Sequence, residues 1–138
     1  MKQTQLLDSL VQAVSAGERR KLMDNTGIVI SAFNRRTLLE MLRLRIEDDG
    51  EVDPQAVAAL RECLEGFLAQ HLPEKPEAWK WIILSCIYLR FIAGRPLHPQ
   101  EAVHYRAVRR RGVIRYLCPE RTTEPGSVCL FCVCDSDI

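Results

Sequence analysis

At 138 residues, with 19 basic and 18 acidic side chains and a formal net charge of +1, the chain has no global field to draw it to nucleic acid or a membrane surface. The length suits one domain, 1–138, and is enough to bury a core without disulfides. The 47% hydrophobic and 27% charged content is that of an ordinary globular protein.

Met1-Lys2 lead into an amphipathic stretch containing Asp8 rather than a continuous apolar run, so no export signal is expected. From Gln3 to Met23, Leu7, Leu10, Val11, Val14 and Leu22 recur at helical spacing, which predicts a helix with a break at Gly17. Asp24 to Gly27 form a turn cluster. Ile28 to Phe33 are β-prone, but Leu38, Leu39, Leu42 and Ile46 continue with helical period, and one helix over most of 28–46 is expected. Asp48-Asp49-Gly50 ends it. Asp53 as N-cap and Pro54 at the first helical position open the next helix. Val57, Leu60, Leu64, Phe67 and Leu68 mark one face of it, and Leu72-Pro73 stops it.

Pro76 opens a helix that is apolar nearly all round: Trp79, Ile82, Ile83, Cys86, Ile87, Leu89, Phe91 and Ile92. Such a helix belongs in the middle of a bundle. Trp79–Ala93 is interrupted by Lys80, Ser85 and Arg90 and is shorter than the ~20 residues that span a bilayer. Gly94 is its natural C-terminal cap, and Pro96 blocks continuation. The helical part is thus placed at about 3–95. Beyond it, Val103–Val108 and Val113–Leu117 flank Arg110-Arg111-Gly112 and predict a hairpin. Glu124 to Ser127 form a turn, and Val128–Val133 reads as extended. The fold class is mainly α, a bundle of about four main helices with a small C-terminal β-hairpin and cysteine-rich element over about 96–138.

Without an export signal the expected compartment is the cytoplasm, where thiols stay reduced. The six cysteines are then free thiols or metal ligands. The strongest chemical signal is Cys118 with Cys129-x-x-Cys132 and Cys134. Zinc takes thiolates and imidazoles at tetrahedral corners. A Cys-x-x-Cys turn supplies two, Cys118 a third, and His98, held between Pro96 and Pro99, is the preferred fourth. Cys134, two residues after Cys132, is a substitute ligand. An iron–sulfur cluster ranks below zinc, since the spacing matches no common ferredoxin pattern. Buried structural thiols are the plainer alternative. Cys63 and Cys86 lie on apolar helical faces and read as core.

Charge is unevenly placed. From Glu47 to Glu77 nine acidic residues stand against Arg61 and Lys75, and from His104 to Arg121 six arginines stand against Glu120 alone. Arg106, Arg109, Arg110, Arg111 and Arg115 on the hairpin suit phosphates, with Tyr105 and Tyr116 nearby for stacking. The plainer expectation is a solvated turn, or docking on the chain's own acidic segment. No Ser-His-Asp set, phosphate-cradling glycine loop or His-Glu-x-x-His helix is present.

Four strings in order also carry a resemblance: Tyr88-Leu89-Arg90-Phe91-Ile92, Arg95-Pro96-Leu97-His98-Pro99, Gly112 to Tyr116-Leu117-Cys118-Pro119, and Cys129-Leu130-Phe131-Cys132-Val133-Cys134. Over roughly residues 79–134 the chain resembles the uncharacterised family of methanogenic archaea catalogued as domain of unknown function 2115. The resemblance implies an archaeal, cytoplasmic, anaerobic setting and no assigned activity. His98, Cys118, Cys129 and Cys132 fall on its signature. The expectation is a non-enzymatic interaction or regulatory module with a structural zinc site and another protein as partner. A metal- or thiol-dependent enzyme is the alternative, and nucleic-acid binding through the hairpin a weaker one.

Overall fold

The computed structural model describes residues 1–137. Helix α1 covers Gln3–Gln12 and α2 covers Ala16–Asp24. The one helix expected at the N-terminus is therefore two, and the break falls before Gly17. Ser15 Oγ accepts the Glu18 N–H at 3.1 Å, and the Glu18 carboxylate accepts the Ser15 N–H at 3.0 Å. This reciprocal capping box starts a new helix in preference to continuing the old one. Helix α3 spans Ala32–Arg43. The Ser31 hydroxyl accepts the Asn34 N–H at 3.1 Å and sets that start, so Ile28–Ile30 stay irregular; the helix also ends before Ile46.

Helix α4, Pro54–His71, begins as its sequence predicts, with the Asp53 carboxylate accepting the Gln55 N–H at 2.9 Å and Pro54 in the first turn. Val57, Leu60, Leu64 and Leu68 are its buried stripe. Helix α5, Pro76–Tyr88, runs on as a π-helical turn over Leu89–Ala93. Gly94 closes it at φ +64, where the Arg95 N–H donates to Leu89 O at 2.9 Å. Every residue from Ile83 to Leu89 is buried, in keeping with the all-round apolar pattern. α5 packs against α3 and α4. Leu10, Leu22, Leu38, Met41, Leu60 and Ile87 form the centre of the core. The chain start is pinned to the segment before α4. Gln3 N–H donates to Gly50 O at 2.9 Å and Val52 N–H to Met1 O at 2.7 Å. A Cβ at Gly50 would come within 3.1 Å of Gln3 Oε1, a tight contact that the Gln3 side chain would have to relieve.

The C-terminal part holds α6 (Gln100–Val103) and a three-stranded sheet of β1 (Arg106–Arg110), β2 (Val113–Cys118) and β3 (Asp135–Ser136). The hairpin starts later than expected, because Val103 belongs to α6 and His104 ends that helix at φ +54. Arg111 and Gly112, both at positive φ, make a turn that matches the strand twist and set the pairing Arg110↔Val113 through Arg106↔Leu117. The stretch expected to be extended, 128–133, is instead a 3-10 turn over Val128–Leu130 followed by a bend. The Ser127 hydroxyl accepts the Cys129 N–H at 3.2 Å and starts that turn. β3 then pairs parallel with β2, Leu117↔Asp135 and Cys118↔Ser136. Val128, Phe131 and Cys132 pack on the helical core. The architecture is thus mainly helical with a small sheet near the C-terminus. Among the described residues no helix is long and apolar enough to cross a membrane.

Candidate functional site

His98, Cys118, Cys129, Cys132 and Cys134 all line one cavity of about 20 Å³. The segments that deliver them are distant in sequence. Pro96 and Pro99 bracket His98 between the end of α5 and α6. Cys118 is the last residue of β2, where its carbonyl accepts the Asp137 N–H at 3.1 Å. Cys129 lies in the 3-10 turn, and the Cys132 N–H donates to Cys129 O at 3.2 Å, so Cys129-x-x-Cys132 occupies one tight turn. Parallel addition of β3 sets Cys134, the residue before it, beside the end of β2.

All six cysteines are free thiols. Cys118 and Cys134 are buried, at 8% and 3% exposure, while Cys129 and Cys132 are half-buried. Burial pushes the Cys134 thiol up to about 12, helped by the nearby Cys132 and Cys118; Arg121 opposes the shift. His98 is exposed, with part of its ring against the cavity. Desolvation of the ring lowers its pKa below the ordinary histidine value, against the pull of Glu120, which favours the neutral imidazole that ligates metals. Among the described residues no three His, Cys, Asp or Glu side chains stand in metal-holding geometry. The cavity exceeds the roughly 10–15 Å³ that one water needs, so it has room for one atom-sized occupant.

Sequence reasoning missed Arg121 at this site. Its side chain lines the same cavity, and its Nε is buried with no hydrogen-bond partner among the described residues. A buried guanidinium N–H without an acceptor costs free energy that an adjacent anion would recover. The only local signal was its place three residues after Cys118, and nothing in that spacing predicts burial. Cys134 was ranked below His98 on its short spacing to Cys132, yet it is the most buried cysteine on the cavity. Cys86 is core as expected, 8% exposed, with its thiol pushed up to about 12 chiefly by burial. Cys63 is half-buried and donates to Gly126 O at 3.4 Å, tying α4 to the turn before Val128.

The hairpin arginines divide into two sets. Arg106 makes a two-pronged pair with Asp137 at 2.8 and 2.9 Å, and Arg115 pairs with Asp135 at 3.0 Å. These partners lie on and just after β3, not in the acidic segment 47–77. Arg109, Arg110 and Arg111 are exposed, and among the described residues no carboxylate lies within salt-bridge distance of them. The Tyr105 and Tyr116 rings pack edge to face, 5.8 Å apart at 81°, so each is already engaged by the other.

The model of a family described as an uncharacterized protein conserved in archaea, domain of unknown function 2115, matches residues 2–137. UPF0305 protein MJ0646 of Methanocaldococcus jannaschii is 30% identical over 92 residues, which cover 64% of this chain and 56% of that protein. The chain therefore spans about half the length of this curated relative. No solved structure matches. The family match takes in the N-terminal helices as well as the cysteine-bearing end, and the chain belongs to this archaeal family of domain of unknown function 2115.

Proposed function

We propose that the cysteine cavity holds one structural zinc ion, and that the protein is a non-enzymatic interaction or regulatory module of the archaeal cytoplasm. The observation that carries this reading is the convergence of five ligand-type side chains on one cavity of about 20 Å³. Coordination would require these side chains, which line the same cavity, to rotate toward a common centre. The ligand set is His98, Cys118, Cys129 and Cys132, with Cys134 able to replace His98. A single ion suits the volume, whereas a multi-iron cluster does not. A thiolate-rich site is negative, and the orphaned Arg121 Nε–H would have an acceptor beside it.

The thiol-enzyme alternative is less well supported. A thiol that burial holds near 12, as at Cys134, is protonated at neutral pH and a poor nucleophile. A divalent cation deprotonates a coordinating thiol outright. Four protein ligands leave no open position for substrate, as in structural zinc sites. In that role the ion would fasten the tail after Arg95 onto the helices, where a short turn and a two-residue strand bury little apolar surface of their own.

Elemental analysis of protein purified without oxygen tests this directly. One zinc per chain with a sulfur-dominated X-ray absorption shell is expected. Absence of metal, together with an unchanged melting temperature when zinc is added to reduced protein, would overturn the proposal.

A further inference from the structure

We infer that the tip of the β1–β2 hairpin is a binding surface for duplex DNA, which it enters as a two-stranded ribbon in the major groove. Arg109, Arg110 and Arg111 are exposed there, and among the described residues none has a carboxylate within salt-bridge distance. Arg106 and Arg115, further from the turn, already hold Asp137 and Asp135. Val113 and Ile114 stand beside the free arginines at 64% and 42% exposure. The turn carries a second, independent sign. Arg111 sits at φ +52, before Gly112 at φ +78. Asn, Asp or Gly fill the first of these positions at least cost, whereas arginine is disfavoured in the left-handed region. An arginine held where the fold alone would favour asparagine points to a use for its guanidinium.

The register chooses the partner. Side chains alternate between the faces of a strand, so Arg109, opposite Ile114, lies on one face of the ribbon and Arg110, opposite Val113, on the other. With Arg111 at the turn, the free arginines serve both sides and the end of the hairpin. An acidic peptide laid on one face, or added along the open β1 edge of the sheet, would meet only part of this set. A groove with a phosphate strand along each wall meets all of it. The ~12 Å major groove of B-form DNA admits a two-stranded ribbon, and exposed aliphatic side chains there meet thymine methyl groups. The deep, narrow major groove of A-form RNA does not admit one. A single strand needs free aromatic faces for stacking, and Tyr105 and Tyr116 are packed on each other. The net charge of +1 gives no global attraction. At physiological salt, however, a field decays within about 8 Å, so the arginines at the tip decide what binds there.

This names a partner for the interaction module proposed above and does not rest on the metal. No residue of the hairpin tip lines the cysteine cavity, so the zinc assay and the DNA assay fail separately. The chain as purified, kept reduced, is titrated into a fluorescently labelled, mixed-sequence DNA duplex and followed by anisotropy. Saturable binding should weaken roughly 40-fold between about 50 and about 200 mM salt, as expected for three neutralised phosphates. Replacing Arg109, Arg110 and Arg111 together with Ser should abolish it. Arg111→Asn should keep or raise the melting temperature, since asparagine suits the turn, yet weaken binding several-fold and reduce the salt slope by about 1. Amide chemical-shift changes on wild-type protein should centre on residues 108–114, which locates the surface even if a variant folds poorly. No salt-sensitive binding, an Arg111→Asn protein that binds as wild type does, or shifts centred elsewhere would each overturn the inference. So would equal or tighter binding of duplex RNA, single-stranded DNA or polyglutamate.

Discussion

Tyr88→Phe tests how the helical core holds the segment that carries His98. Tyr88 is 1% exposed, and its hydroxyl donates to Glu40 Oε2 at 2.6 Å. The same carboxylate receives Arg95, the residue before Pro96. One acid on α3 thereby ties α5 to the start of the Pro96–Pro99 connection. Removing the hydroxyl keeps the ring and its packing, so little cavity term arises. A hydrogen bond to a charged acceptor contributes ~1.5–3 kcal/mol. Glu40 is 44% exposed and keeps Arg95, so water recovers part of this, and a loss of about 1–1.5 kcal/mol is expected at neutral pH. Burial, then the bond to Glu40, raises the Tyr88 pKa well above its ordinary 10.0. Above pH 10 the unfolded chain releases this proton while the folded chain retains it. The stability from Tyr88 is therefore complete below about pH 10 and declines as pH rises, by up to ~1.4 kcal/mol per unit. Urea unfolding of both proteins from about pH 7 to pH 11 should show a constant difference up to about pH 9–10 that has closed by about pH 11. A neutral-pH difference below ~0.5 kcal/mol, or one that persists unchanged to pH 11, would refute the coupling.

Ile87→Ala, at a fully buried position, should cost ~2–5 kcal/mol in a urea melt. Leu84→Asp, at 3% exposure, should abolish cooperative thermal unfolding, since an unpaired buried carboxylate costs several kcal/mol. Ser15→Ala should cost ~1 kcal/mol through the lost cap between α1 and α2, read by denaturant titration. Replacing Arg109, Arg110 and Arg111 together with Ser should shift stability by less than ~1 kcal/mol; if wild-type protein shows no salt-sensitive gel shift with RNA or DNA, the nucleic-acid alternative is removed. Cys129→Ser and Cys132→Ser should lose zinc and open the chain after Arg95 to protease while helical circular dichroism persists, whereas Cys63→Ala should retain full metal content.

Much of the helical part was legible because its causes are local. Asp53-Pro54 starts α4 through one side-chain cap and one fixed φ. The all-round apolar run of α5 admits only a central place, and Arg111-Gly112 sets the hairpin twist. The break between α1 and α2 is equally local: the capping box Ser15-x-x-Glu18 puts it a few residues before Gly17, where the glycine alone predicts it.

Sequence alone also nominated the chemical groups at the cysteine end, since zinc ligands are few in kind. Only the tertiary structure decided which of them share a cavity. Two residues of parallel strand pairing carry Cys134 to Cys118, too short a ladder to leave a periodic trace. The burial of Arg121 Nε and the choice of Asp135 and Asp137 over the acidic segment as partners of the hairpin are of the same kind. Each depends on side chains brought together from far apart in the chain, where packing and desolvation act and no local spacing encodes the contact.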